Sequence, residues 1–330
     1  MRIGRPGFTQ LAAVLGVAII ASCAASVPVP THGRSTPSIA GRSTPSAAGG
    51  SGLTGVLAVS EGIDGIFLFD LATGQLTRLT DTPYPAFDAD WSPDGSRLVF
   101  RAEPDGNSEI FVMNADGTDA HDLTHDPAAD FAPAWSPDGG LIAFASDRAP
   151  ALGRGSDIFV MAPDGSGVRR VAGHRGVDEY PDWSPDGKRL VFSGAITPGS
   201  DQDIYVVDVD GSQEINLTGT PDGNENQPAW SPDGQTIVFN CGEGTCGAGD
   251  LNADHDLDIY AIGPDGSNYH NLTDSPAEDR DTGWSPDARL ITFLRYPGGR
   301  YVMNADGSDV RPIEIGIREP VFAQWRPTRP

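Results

Sequence analysis

Asp250, Asn252, Asp254, Asp256 and Asp258 place an oxygen donor at every second position over nine residues. Calcium takes six to eight hard oxygen ligands, and a short loop of alternating donors supplies several of them. The spacing therefore predicts calcium as a cofactor, against the alternative of a solvated acidic loop. His255 stands where such loops turn on glycine, and Ala261 where they place a final bidentate acid. Just before this run lie Cys241 and Cys246, separated by four residues. In an exported chain two such thiols predict a small disulfide loop. A zinc site would have to recruit two more ligands. A third set of candidates stands five residues before successive tryptophans: Asp130, Asp178, Glu225 and Asp279, with Ala86 and Pro320 at the two remaining positions. If the tryptophans repeat in space, these acids form a ring that could hold a cation or a basic segment of a partner. The plainer alternative is that each caps its own loop. The histidines give little: His121 and His270 occupy equivalent positions, His125 and His174 lie in loops, and no metal-ligand spacing joins them.

The elements that must position these residues come from one repeat. W-S-P-D occurs at Trp91, Trp135, Trp183, Trp230 and Trp284, with a relic at Trp325. The tryptophan spacings are 44, 48, 47, 54 and 41 residues. A phenylalanine follows nine residues after each of the first five, at Phe100, Phe144, Phe192, Phe239 and Phe293. Pro-Asp-Gly is a tight-turn signal and the alternating apolar residues are a strand signal, so each Trp-to-Phe segment is a hairpin, strands A and B. A second aromatic recurs at Phe111, Phe159, Tyr205, Tyr260 and Tyr301, with glycine six residues later and an aliphatic residue six beyond that. That is a second hairpin, strands C and D. Four short strands repeated at this period predict an all-β, six-bladed β-propeller. Residues 55–80 read as strands B, C and D without a preceding strand A, and residues 322–327 as a strand A with nothing after it. The two ends should share one blade, which leaves no open sheet edge.

This pattern resembles the WD-like Pro-Asp repeat of the TolB C-terminal propeller and of prolyl-oligopeptidase-type propellers. The resemblance covers residues 53–326 and rests on five near-identical motifs. It departs from TolB in having a tether where an α/β domain precedes the propeller there. It departs from the peptidases in showing no hydrolase domain and no G-x-S-x-G. What it implies is a fold and, on the TolB side, docking of a partner protein on the face of the B–C and D–A loops.

That face also varies most. The B-to-C interval runs 11, 15, 13, 21 and 8 residues through the five complete repeats, while the D-to-A interval stays at 12 or 13. Loops on a rigid scaffold carry function more readily than the scaffold does.

The N-terminus reads as an address. Arg2 and Arg5 precede an apolar run, Leu11–Ile20, and then Ile20-Ala21-Ser22-Cys23. This is a secretory signal with the form of a bacterial lipobox, so Cys23 is the expected lipidation site. Residues 1–22 are then the signal peptide, 23–52 a Ser/Thr/Pro/Gly-rich tether containing GRSTPSIA and GRSTPSAA, and 53–330 the propeller. The chain carries 46 acidic against 22 basic residues, a net charge of −24, and −26 without residues 1–22. Such a charge disfavours nucleic acid and an anionic membrane surface. It favours a basic partner. The expectation is a monomeric, lipid-anchored scaffold facing the periplasm or cell exterior, which binds an envelope protein or peptide, touches the membrane through its anchor only and is no enzyme. The rival is an envelope hydrolase or lyase acting on glycan or peptide at the same loop face.

Overall fold

Each W-S-P-D segment closes its hairpin with the same hydrogen bonds. Ser92 Oγ donates to Asp94 Oδ1 at 2.7 Å and accepts from the Arg97 amide at 2.9 Å. Ser136–Asp138, Ser184–Asp186, Ser231–Asp233 and Ser285–Asp287 repeat the hydroxyl-to-carboxylate bond at 2.6–2.7 Å. The turn thereby satisfies its own polar groups, and the Ser92 hydroxyl, with the Ser96 amide and hydroxyl behind it, holds the Asp94 carboxyl down to about 2. These turns place an aspartate on the rim of blades 2 to 6, so part of the net charge is turn chemistry.

The computed structural model describes residues 53–61, 65–82, 84–148, 155–220, 223–242, 246, 257–317 and 322–328. Residues 1–52, with the expected signal peptide, Cys23 and tether, lie outside them. Among the described residues the regular structure is β-strand, arranged as six four-stranded antiparallel sheets. Blade 1 is built from both ends of the propeller: strand A, Phe322–Trp325, pairs with strand B, Val56–Glu61, with Leu57 opposite Trp325 and Val59 opposite Ala323. The chain thus closes on itself as the repeat predicted. Blades 2 to 6 begin with strands A at Ala86–Trp91, Asp130–Trp135, Asp178–Trp183, Asn224–Trp230 and Glu278–Trp284.

Six apolar cores lie between adjacent blades, one per seam. The core between blades 3 and 4, for example, joins Ile158 and Val160 to Trp183, Phe192 and Tyr205. Burial of these aromatic and branched side chains is the main force holding blade to blade. Two polar patterns alternate on top of it. Asp90 and Asp182, each just before its tryptophan, accept the backbone amide of the next blade's Trp135 and Trp230 at 2.7 and 2.6 Å. At two further seams alanine stands in that place, and its carbonyl accepts the next indole: Trp183 Nε1 to Ala134 at 3.1 Å, Trp284 Nε1 to Ala229 at 3.2 Å.

One feature of strand A governs the site. In blades 2 to 6 its register against strand B shifts, as between Phe87 and Asp90 or Glu179 and Asp182. The residue three before each tryptophan has positive φ, 50–55°, at Asp88, Ala132, Tyr180, Gln227 and Asp281. This is a β-bulge, which re-aims the side chains on either side of it.

Candidate functional site

The connections on one face differ in length while those on the other barely do. Between strands B and C lie two residues in blade 6 and fifteen in blade 5; between A and B there are five or six in blades 2 to 6. The variable face carries the candidate residues.

Asp130, Asp178, Glu225 and Asp279 begin or nearly begin strand A, and all four are fully buried. Their backbone amides donate to Ser108, Ser156, Gln202 and Leu257, each the residue just before strand C of the preceding blade. The four side chains accordingly turn into the seams between blades and do not line the central channel. Alternation counted back from the tryptophan crosses the bulge, and that is why an open ring at the channel mouth does not form. Three of the acids have cations of their own chain. Arg148 donates to Asp130 at 2.5 Å, His174 contacts Asp178 at 2.6 Å, and Arg295 makes a two-pronged pair with Asp279 at 2.7 and 2.6 Å. Glu225 accepts from Thr220 Oγ1 at 2.6 Å, and its Oε2 has no hydrogen-bond partner among the described residues. Burial pushes the Glu225 carboxyl up to about 7.

His174 is held from both sides, Nδ1 by Asp178 and Nε2 by Glu214 at 3.1 Å. The Asp178 bond, reinforced by Glu214, raises its pKa to about 10, so it is a fixed cation.

The channel itself is lined by residues that motif counting passed over: Asp88, Asp90, Tyr180, Asp182, Gln227 and Asp281 among them. Desolvation raises the carboxyls of Asp88 and Asp281, opposed by Arg101 beside the first and Arg300 beside the second. Burial lifts Asp90 to about 7 and Asp182 to about 6. The signal available in the sequence was the column one and three residues before each tryptophan.

With this geometry in view, comparison with known families gives a match to the TolB beta propeller domain over residues 56–192 and 152–248. The chain belongs to the TolB β-propeller family. Among solved structures, this TolB-type propeller is similar to TolB from Acinetobacter baumannii, with a TM-score of 0.66 and 19% identity over 83% of this chain and 67% of that one. TolB from Agrobacterium tumefaciens matches at 0.62 and 23% identity, covering 78% and 87%. A chain of a nidogen/laminin complex matches at 0.64 with 10% identity, covering 82% and 98%. At these identities the likeness concerns the fold.

The TolB-type repeat also accounts for Asp258. It opens strand C of blade 5, Asp258–Ile262, and its carboxylate accepts from Thr273 Oγ1 at 3.0 Å, Asn271 Nδ2 at 3.0 Å and the Ser275 amide at 3.2 Å. Asp203 receives the equivalent bonds from Asn216, Thr218 and Thr220 in blade 4. These are loop-capping bonds of the repeat, shared by Asp258 and Asp203. Asp250, Asn252, Asp254 and Asp256 lie outside the described residues. Among the described residues no group of three or more His, Cys, Asp and Glu is placed to hold a metal. Cys241 and Cys246 are joined, sulfur to sulfur at 2.01 Å, and both are buried in the core between blades 4 and 5. His121 and His270 are exposed on their strands D, each with Nδ1 against a backbone carbonyl.

A cavity of about 460 Å³ opens where the B–C loop is shortest, bordered by Leu294, Tyr296, Pro297, Arg300, Ile313 and Ile315 of blade 6. Tyr296 there and Ile196 on the B–C loop of blade 4 are 54% and 57% exposed, large apolar side chains left facing solvent on the variable face.

Proposed function

We propose that the protein is an extracytoplasmic scaffold, anchored by lipid at Cys23, that binds a basic protein or peptide of the cell envelope on the B–C and D–A loop face. The observation that carries this reading is the confinement of loop variation to one face of an otherwise repetitive propeller. The acidic charge supports it, since a net −26 on the exported chain raises the encounter rate with a basic partner and makes binding sensitive to salt. Exposed Tyr296 and Ile196 on the same face offer the apolar contact that a docking surface needs at its centre.

Immobilised protein incubated with envelope extract should retain a basic protein at low salt and release it as ionic strength rises. Retention of no protein, together with turnover of a glycan or peptide panel, would sink this reading in favour of an envelope enzyme.

A further inference from the structure

At four seams the amide bonds between blades set a strand-A acid beside a strand-C acid: Asp130 with Glu109, Asp178 with Asp157, Glu225 with Asp203, and Asp279 with Asp258. Two buried carboxylates side by side need a cation or a proton. Three seams contain a cation. Arg148 pairs with Asp130; His174 pairs with Asp178 and Arg170 with Asp157; Arg295 pairs with Asp279. At the seam between blades 4 and 5, no described cation pairs with Asp203 or Glu225, and the buried Glu225 Oε2 has no hydrogen-bond partner among the described residues.

The strand register shows how this seam differs. Asp279 stands opposite Arg295 across strands A and B of blade 6, and Glu225 stands opposite Cys241 in blade 5. The position that supplies the guanidinium in one blade is thus a disulfide cysteine in the other. Nor can a nearby segment supply an arginine or lysine: residues 190–279 contain seventeen Asp and Glu and not one Lys or Arg. With no cation in this acidic stretch, the seam is left to a proton or, where Glu225 is ionised, to a cation from outside the chain.

We propose that the seam between blades 4 and 5 is a recognition point for the guanidinium of an arginine on the binding partner, with Glu225 as its anion and Asp203 beside it. This rests on the partner-binding reading above and narrows it to one side chain of the partner. The sister seams show the mode of entry. Arg148 and Arg295 keep 15% and 21% of their side chains exposed over carboxylates that are fully buried, so the guanidinium lies between the acid and the loop face. A two-pronged guanidinium–carboxylate pair is also the strongest of the charged hydrogen-bond geometries. A metal ion fits less well, because no third carboxylate or histidine among the described residues completes a coordination shell.

Two measurements on the purified protein test this together. The first is binding of acetyl-Gly-Arg-Gly-amide at pH 8, followed by NMR. Glu225→Gln should weaken it tenfold or more, whereas Asp105→Asn, which removes an exposed acid two seams away, should change it less than twofold. The second is thermal stability. Removing an unpaired buried charge should leave the melting temperature of Glu225→Gln equal to or above that of the parent. Asp279→Asn, which strands Arg295, should lower it. The proposal is overturned if the peptide binds neither protein or both equally, or if Glu225→Gln melts low or fails to fold. It is overturned in favour of a metal site if 1 mM calcium stabilises the parent and not Glu225→Gln. Because these readouts use no natural partner, they can fail while envelope capture succeeds, or succeed while capture fails.

Discussion

Gly165 and Gly106 share φ of +81° and differ in what surrounds them. Gly106 sits in an open loop with nothing within 4 Å of where a Cβ would be. Gly165 is the glycine six residues after Phe159, in the turn between strands C and D of blade 3. A Cβ there would lie 2.4 Å from the carbonyl oxygen of Leu123 in blade 2. Replacing Gly106 by alanine should cost only the backbone penalty of the left-handed region, roughly 1 kcal/mol, partly offset by the lower entropy of the unfolded chain. Replacing Gly165 adds a steric term, because backbone must retreat by most of an ångström at a close-packed seam, about 1–3 kcal/mol. The total for Gly165→Ala is then about 2–4 kcal/mol. In a propeller of this size 1 kcal/mol corresponds to roughly 2–4 °C. Thermal unfolding followed by circular dichroism should therefore place Gly165→Ala about 4–16 °C below the parent and Gly106→Ala within about 4 °C of it. Equal losses in the two variants would refute the argument that this glycine is required by the neighbouring blade.

Further outcomes follow from the same structure. Ala288 occupies the turn position that glycine holds in the other four W-S-P-D motifs, at φ of +58°; Ala288→Gly should stabilise the propeller by about 0.5–1 kcal/mol, visible as a melting temperature raised by a few degrees. Asp90 and Asp182 bind a proton more tightly folded (about 7 and about 6) than unfolded (near 3.8), so stability from this source falls as pH rises from about 4 to about 7. His174, raised from 6.5 to about 10 by Asp178 and Glu214, contributes stability that is complete below pH 6.5 and lost as pH climbs toward 10. A melting series from pH 7 to 10 should thus be flatter for His174→Gln than for the parent; parallel curves would refute the assignment.

Much of this architecture was written in residue spacing. The Trp-to-Phe and aromatic-to-glycine intervals marked both hairpins of each blade, because a four-stranded sheet wedged between two others tolerates little change in strand length or turn type. The shared blade was legible for the same reason, since Val56–Glu61 and Phe322–Trp325 each lacked a partner strand. The site was less legible. A bulge adds one residue to strand A without any compositional mark, and it separates Asp130, Asp178, Glu225 and Asp279 from the channel columns headed by Asp88 and Asp281. The cations were hidden by irregular placement. Arg148 stands four residues after Phe144, Arg295 two after Phe293, and His174 reaches Asp178 from a loop. No single column of the repeat contains them, so three paired acids and one unpaired acid looked alike.

The central claim is that the variable loop face is the docking face, and site-specific photo-crosslinking tests it most directly. A benzophenone side chain at Tyr296 or Ile196 on that face should yield a covalent adduct with an envelope protein. The same group at Gln235, in a turn between strands A and B on the opposite face, should yield none. Adducts from Gln235 alone, or equally from both faces, would contradict the account.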